Sequence, residues 1–133
     1  MWNHKDEWRM SGKNFNIVVA RHAEIIPEAF KGLLHDGGNR WCIYAHIFPT
    51  HPLFKEFGGQ DLYQKVTEEM PLHGGCSYLE YPMYDNVISC VKVGADYNHY
   101  MDDFSHFKTK EEASKIFYDA KLLYEWLTAK GEV

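Results

Sequence analysis

The sequence predicts an α+β domain: a small antiparallel sheet of three to five strands with a long C-terminal helix packed on one face. Three observations carry that expectation. Several short stretches alternate apolar and polar residues, or run apolar on both faces, as strands do. One long stretch near the end repeats apolar residues at helical spacing. The chain has 133 residues, a size that suits one domain and buries roughly two-thirds of the surface its unfolded form exposes.

The elements follow in order. Residues 1–13 are polar and carry both charge signs, so they read as a lead-in whose Trp2 and Trp8 pack back onto the domain. The single domain then spans residues 14–133. Phe15 to Arg21 alternates as a short strand. Ile26 to Leu34 suits a short helix with Pro27 in its first turn, and His35 to Asn39 breaks it as a turn. Trp41 to Phe48 is apolar on both sides apart from His46 and predicts the central strand, ended by Pro49 and Pro52. Asp61 to Met70 holds one or two helical turns. Cys76 to Tyr81 reads as a strand, Pro82 to Asn86 as a turn, and Val87 to Ala95 as the strongest strand of the chain. Thr109 and Glu112 form a capping box. Ala113, Ile116, Phe117, Ala120, Leu123, Tyr124 and Leu127 then make one helical stripe, with Gly131 as its cap.

Composition narrows the function classes. The net charge of −5 and the lack of a basic stripe argue against a general nucleic-acid binder. No stretch approaches the ~18 apolar residues of a membrane span, and the N-terminus shows no apolar leader. Cys42, Cys76 and Cys90 include no CxxC pair and read as free thiols of a reducing compartment. Aromatic residues reach 16%, more than a small core needs, so some of them line a pocket or an interface.

Three clusters at predicted strand ends could carry chemistry. The first centres on His51, the second on His73-Gly74-Gly75-Cys76-Ser77-Tyr78, and the third on Asp96, His99 and Asp102. Paired glycines permit close approach of a ligand, and their amides can form an anion nest. The ligand-binding candidates are therefore His51, His73, Gly74, Gly75, Ser77, Tyr78, Asp96, His99 and Asp102, with Tyr97 and Trp41 as further stacking surfaces. For acid–base chemistry the candidates are His99 with Asp96 or Asp102 as its orienting carboxylate. A mixed nitrogen and oxygen site for zinc, manganese or iron would draw on His73, His99 and the aspartates, but the sequence names no cofactor. The structural alternative is that the aspartates cap turns and the histidines brace loops. Cys76 has no neighbouring base, His46 reads as core, and His22, His35 and His106 fall in loops.

Four blocks together resemble a family of small proteins encoded by bacteriophages and prophages. They are Trp41-Cys42-x-Tyr44, His51-Pro52-Leu53, His73-Gly74-Gly75-x-Ser77-Tyr78 and Gly94-x-Asp96-x-x-His99-x-x-Asp102. The resemblance covers Arg40 to about Leu127. The chain departs from the pattern at Ala45, where valine is usual, at Ala95, where an aromatic is usual, and in the insert between Phe54 and His73. What the resemblance implies is a context, an accessory protein made in the bacterial host cytoplasm that blunts host defence, and no reaction.

Three functions compete. One is capture of a small anionic or nucleotide-like ligand in the His/Gly/Asp pocket. Another is a small hydrolase, metal-assisted or dependent on His99. The third is masking of a host protein, with the His and Asp motifs structural. Whether the chain is an enzyme stays open, and the partner classes are a small molecule, a host protein or a second copy of the chain.

Overall fold

A computed structural model describes residues 4–23, 38–98, 102 and 104–132 of the chain. Five strands form one antiparallel sheet: β1 (His4–Gly12), β2 (Phe15–Ala23), β3 (Asn39–Ile47), β4 (Tyr78–Glu80) and β7 (Val91–Asp96), in the order β1-β2-β3-β7-β4. Strands β5 (Met83–Tyr84) and β6 (Val87–Ile88) pair as a separate hairpin. The helices are α1 (Lys65–Glu69) and α2 (Ser114–Gly131), with a turn of 3-10 helix at Phe54–Glu56. This is the α+β architecture expected from the sequence, with β3 central.

Strand geometry divides the sheet into two faces, because successive side chains point to opposite sides. The first face carries Trp8 and Met10 of β1, the odd-numbered Phe15, Ile17 and Val19 of β2, Trp41, Ile43, Ala45 and Ile47 of β3, and Val91 and Val93 of β7. Helix α2 lays Ile116, Ala120, Leu123 and Leu127 on it, all buried. Its Phe117 meets Trp8 and Trp41 edge-on, while those two indoles stack at 5.6 Å. Tyr124 meets Phe15 in the same way at 5.2 Å.

Three differences from the sequence reading have physical reasons. The polar lead-in is a nine-residue edge strand, paired to β2 from His4↔Ala23 to Gly12↔Phe15. Its alternation is real, with Trp8 and Met10 inward and Lys5, Glu7 and Arg9 outward, but charge on an exposed edge strand disguises it. The strand expected from Val87 to Ala95 is two strands. The Asp85–Asn86 pair has φ of 50° and 65°, the two positive angles of a tight hairpin turn, and it folds Val87–Ile88 back on Met83–Tyr84. Finally, the reciprocal Thr109–Glu112 bonds exist, but turns follow them and the helix starts only at Ser114. The helix expected over 26–34 lies outside the described residues, as do His35 to Gly37 of the turn after it. His22, placed in a loop by the sequence reading, lies in β2.

Candidate functional site

The described members of the predicted site do not gather in one pocket. Asp96 ends β7 on the second face of the sheet, and the next residue, Tyr97, turns to the first face and is 2% exposed. This one-residue step separates the two halves of the candidate site.

On the helix side, His73 and Asp102 form a pair, with His73 Nε2 and Asp102 Oδ1 2.8 Å apart. The His73 ring stacks on Tyr97 at 4.4 Å and 11°, and Phe104 closes edge-on against both rings. Tyr97 in turn donates to Asp119 Oδ2 at 2.7 Å, and Lys115 Nζ lies 2.5 Å from the other oxygen. Burial, then the bond to Asp119, pushes the Tyr97 phenol far up. A strap of residues 104–107 holds this arrangement against the end of β3. Asn39 N and Nδ2 both donate to Ser105 O, and Trp41 Nε1 donates to Phe107 O. Arg21 completes the stitching by donating to Asp6 and to Asn39 Oδ1.

The glycines after His73 adopt φ of 68° and 90°, as their turn requires. Gly75 N donates to Leu72 O at 3.0 Å, so that amide is spent closing the turn rather than facing an anion. Cys76 is buried, and its burial pushes the thiol up, away from nucleophile character.

On the second face, Ser77 Oγ accepts from Asp96 N at 3.1 Å. Asp96 Oδ2 takes Arg40 NH2 at 3.0 Å, and Oδ1 accepts from Asn98 N at 3.3 Å. Cross-strand register then sets the neighbours: Tyr44 opposite Gly94 opposite Tyr78, and His46 opposite Lys92 opposite Glu80. Gly94 is needed here, because a Cβ on it would lie 2.1 Å from Ile43 O and 2.8 Å from the Tyr44 ring. That ring packs edge-on with Tyr78 at 5.1 Å. Lys92 Nζ sits over both, 4.5 Å from the Tyr44 centroid and 5.1 Å from that of Tyr78. The Tyr78 hydroxyl donates to Glu80, which, with burial, pushes the phenol up to about 12. No described helix covers this face.

The second face gathers four cations, Lys5, Arg9, Arg40 and Lys92, beside three carboxylates, Glu7, Glu80 and Asp96. His46 is pushed below its ordinary value by burial, then by Lys92 and Arg9. His22 is pushed down by burial, then by Lys5 and Arg40. Lys92 has no carboxylate partner among the described residues, whereas Arg40 is paired with Asp96 and Lys5 with Glu7.

Several expectations change on this geometry. His51 is 2% exposed, and both its nitrogens are spent: Nε2 lies 2.9 Å from Leu127 O, and Nδ1 accepts from Leu53 N at 3.1 Å. It braces the C-terminal turn of α2 and has no nitrogen left for a ligand. Trp41 and Tyr97 are buried, so neither offers a face to a solvent-borne ring. His73 gains an orienting carboxylate, Asp102. Asp96, expected as a partner of His99, is held by Arg40, and His99 lies outside the described residues. No group of three or more metal-ligating side chains forms among the described residues. Sequence reasoning missed Arg40, Tyr44, Lys92 and Asp119. The first three stand at even-numbered positions of β3 and β7, where alternation alone would have placed them on the face opposite the core. Asp119 was hidden among the solvated charges of α2. Comparison with known protein families, with characterised proteins and with solved structures finds no match.

Proposed function

We propose that the protein binds a small anionic, nucleotide-like ligand on the second face of the sheet, between Tyr44, Tyr78, Lys92 and Arg40, with Ser77 and Asp96 at its rim. The observation that carries this reading is the Lys92 ammonium, poised over two tyrosine rings and, among the described residues, in no salt bridge with a carboxylate. A flat ring system stacks on the exposed part of Tyr78, and its phosphate or carboxylate meets Lys92. Asp96 stays ion-paired and keeps Arg40 aimed along the face. The likeness to phage-encoded proteins would make such a ligand a signal captured during host defence.

Calorimetric titration against mononucleotides, dinucleotides and cyclic nucleotides tests the reading. Lys92→Ala is expected to weaken binding about tenfold, since a charge-assisted contact contributes ~1.5–3 kcal/mol. Tyr78→Ala is expected to weaken it by a similar factor through lost stacking, roughly 1–3 kcal/mol. Silence across the whole panel sinks the proposal.

The His73–Asp102 pair favours a second reading, a His-dependent hydrolase, because a carboxylate-oriented imidazole is the usual arrangement of a general base. It predicts turnover of a nucleotide or ester substrate that His73→Ala abolishes while the folded state persists. Inertness of the native protein towards such substrates removes it.

A further inference from the structure

Strand β1 (His4–Gly12) is the last strand at its end of the sheet, and among the described residues β2 is its one strand neighbour. Helix α2 lies chiefly over β2, which leaves the outer side of β1 open. In an antiparallel pair every second residue turns its N–H and C=O away from the neighbouring strand. Half of the β1 backbone groups therefore face outward, as a row of donors and acceptors that water or another strand must satisfy. Ser11 O takes the Tyr124 hydroxyl at 3.4 Å, and a carbonyl with two lone pairs can take a strand partner as well. The side chains follow the same alternation. Lys5, Glu7 and Arg9 are exposed on the second face, while Trp8 and Met10 are half-buried on the helix side. Lys5 and Arg9 flank Glu7 at 2.7 and 3.8 Å. With Asp6, the strand holds two positive and two negative side chains, so it is neutral in a chain of net charge −5.

We propose that β1 pairs antiparallel with β1 of a second copy of this chain, joining the two five-stranded sheets across a two-fold axis at Trp8. Register and charge single out this occupant. The outward-facing residues alternate along the strand, so a two-fold pairing must centre on a residue and not between two. Centred on Trp8, the strand pairs over its whole length, with His4 of each copy opposite Gly12 of the other. That register sets Glu7 of each copy opposite Arg9 of the other and brings no like charges face to face. The neighbouring registers do. Centred on Glu7, the pairing sets Glu7 on Glu7 and Lys5 on Arg9; centred on Asp6 or on Arg9, it sets that residue on itself. Charge on an edge strand usually deters pairing. Here the alternating signs deter the neighbouring registers and favour one, because opposite charges directly across a strand pair stabilise it and like charges destabilise it. On the helix side the two half-buried Trp8 indoles come to lie opposite each other and cover one another. This contact does not depend on the ligand reading, because β1 supplies none of that site's residues.

Sedimentation equilibrium of the full chain from about 1 to 500 μM tests the proposal. The expected result is a mass that doubles with concentration. Glu7→Arg and Arg9→Glu, each alone, put like charges across the axis and are expected to weaken association roughly tenfold or more, with the circular dichroism of the parent. An equimolar mixture of the two variants is expected to regain association, because opposite charges then face each other at both positions. Amide exchange along β1 of the parent is expected to slow as concentration rises, a readout that holds even should a variant misfold. A parent chain monomeric throughout the range, with β1 exchange independent of concentration, overturns the proposal. So do folded single variants that associate as tightly as the parent, a mixture no tighter than its separate components, or protection of β1 only by a different protein.

Discussion

His51 and His73 are the same residue type in equally suggestive settings, and their partners separate them. His51 satisfies Leu53 N and Leu127 O inside the core, so losing it orphans two buried groups and opens a cavity. His51→Ala is expected to lower unfolding stability by about 3 kcal/mol in urea titrations while leaving nucleotide binding at the Lys92 face unchanged. A ligand role for His51 would show the reverse pattern. Leu127 stands 76 residues further along the chain, which is why the sequence could mark His51 but not assign it. His73 and Asp102 were legible as candidates from their spacing to glycines and to Asp96. Their pairing was not, because it depends on the strap across the end of β3. Asp96 was legible as a strand-end carboxylate, but its capture by Arg40 follows from cross-strand register, which a single sequence specifies only indirectly.

At the scale of elements, the central strand and the final helix were readable because apolar residues fill their buried positions at periods of two and about 3.6. Strand β1 was not, since only Trp8 and Met10 among its inward residues are large and apolar. Trp8 nevertheless anchors the strand through its stack on Trp41 and its edge contact with Phe117. Trp8→Ala is expected to cost about 3 kcal/mol, towards the low end for such a truncation because the ring is only partly buried. The urea midpoint reports the loss, and amide exchange locates it along β1. An unchanged midpoint would mean that the strand is ornamental. The hairpin of β5 and β6 escaped notice for the opposite reason. Val87 to Ala95 is strand-like in sequence throughout, and the break falls at Ser89–Cys90, where Ser89 turns its N and Oγ to Pro82 O.

At the scale of the whole molecule, the tyrosines tie stability to alkaline pH. Burial, then the bond to Asp119, raises Tyr97. Burial, then Cys42, raises Tyr44. The bond to Glu80, then burial, raises Tyr78 to about 12. In the unfolded chain these phenols ionise near the ordinary value of 10.0. The folded state therefore favours their protonated forms, and that contribution is complete below about pH 10 and is lost as pH climbs from there through the folded values. Urea midpoints are expected to begin falling above about pH 9, where the buried thiols Cys42, Cys76 and Cys90, all raised from 9.0 by burial, start to lose their contribution, and to fall more steeply above about 10; Tyr97→Phe is expected to flatten the steeper part. A midpoint insensitive to pH beyond 10 would contradict the burial of these rings.

The one-residue step from Asp96 to Tyr97 also bears on how such a chain can change over time. Odd-numbered positions of β3 and β7 answer to the helix, and even-numbered positions answer to whatever meets the other side. Substitutions at Tyr44, His46, Lys92 or Arg40 can accumulate, and recognition can drift from one ligand to another, while the interior that folds the domain stays untouched. The sheet is a scaffold with one side given to persistence and the other free to diversify only around Val18, Ala20, Cys42 and Gly94, which are buried there as well.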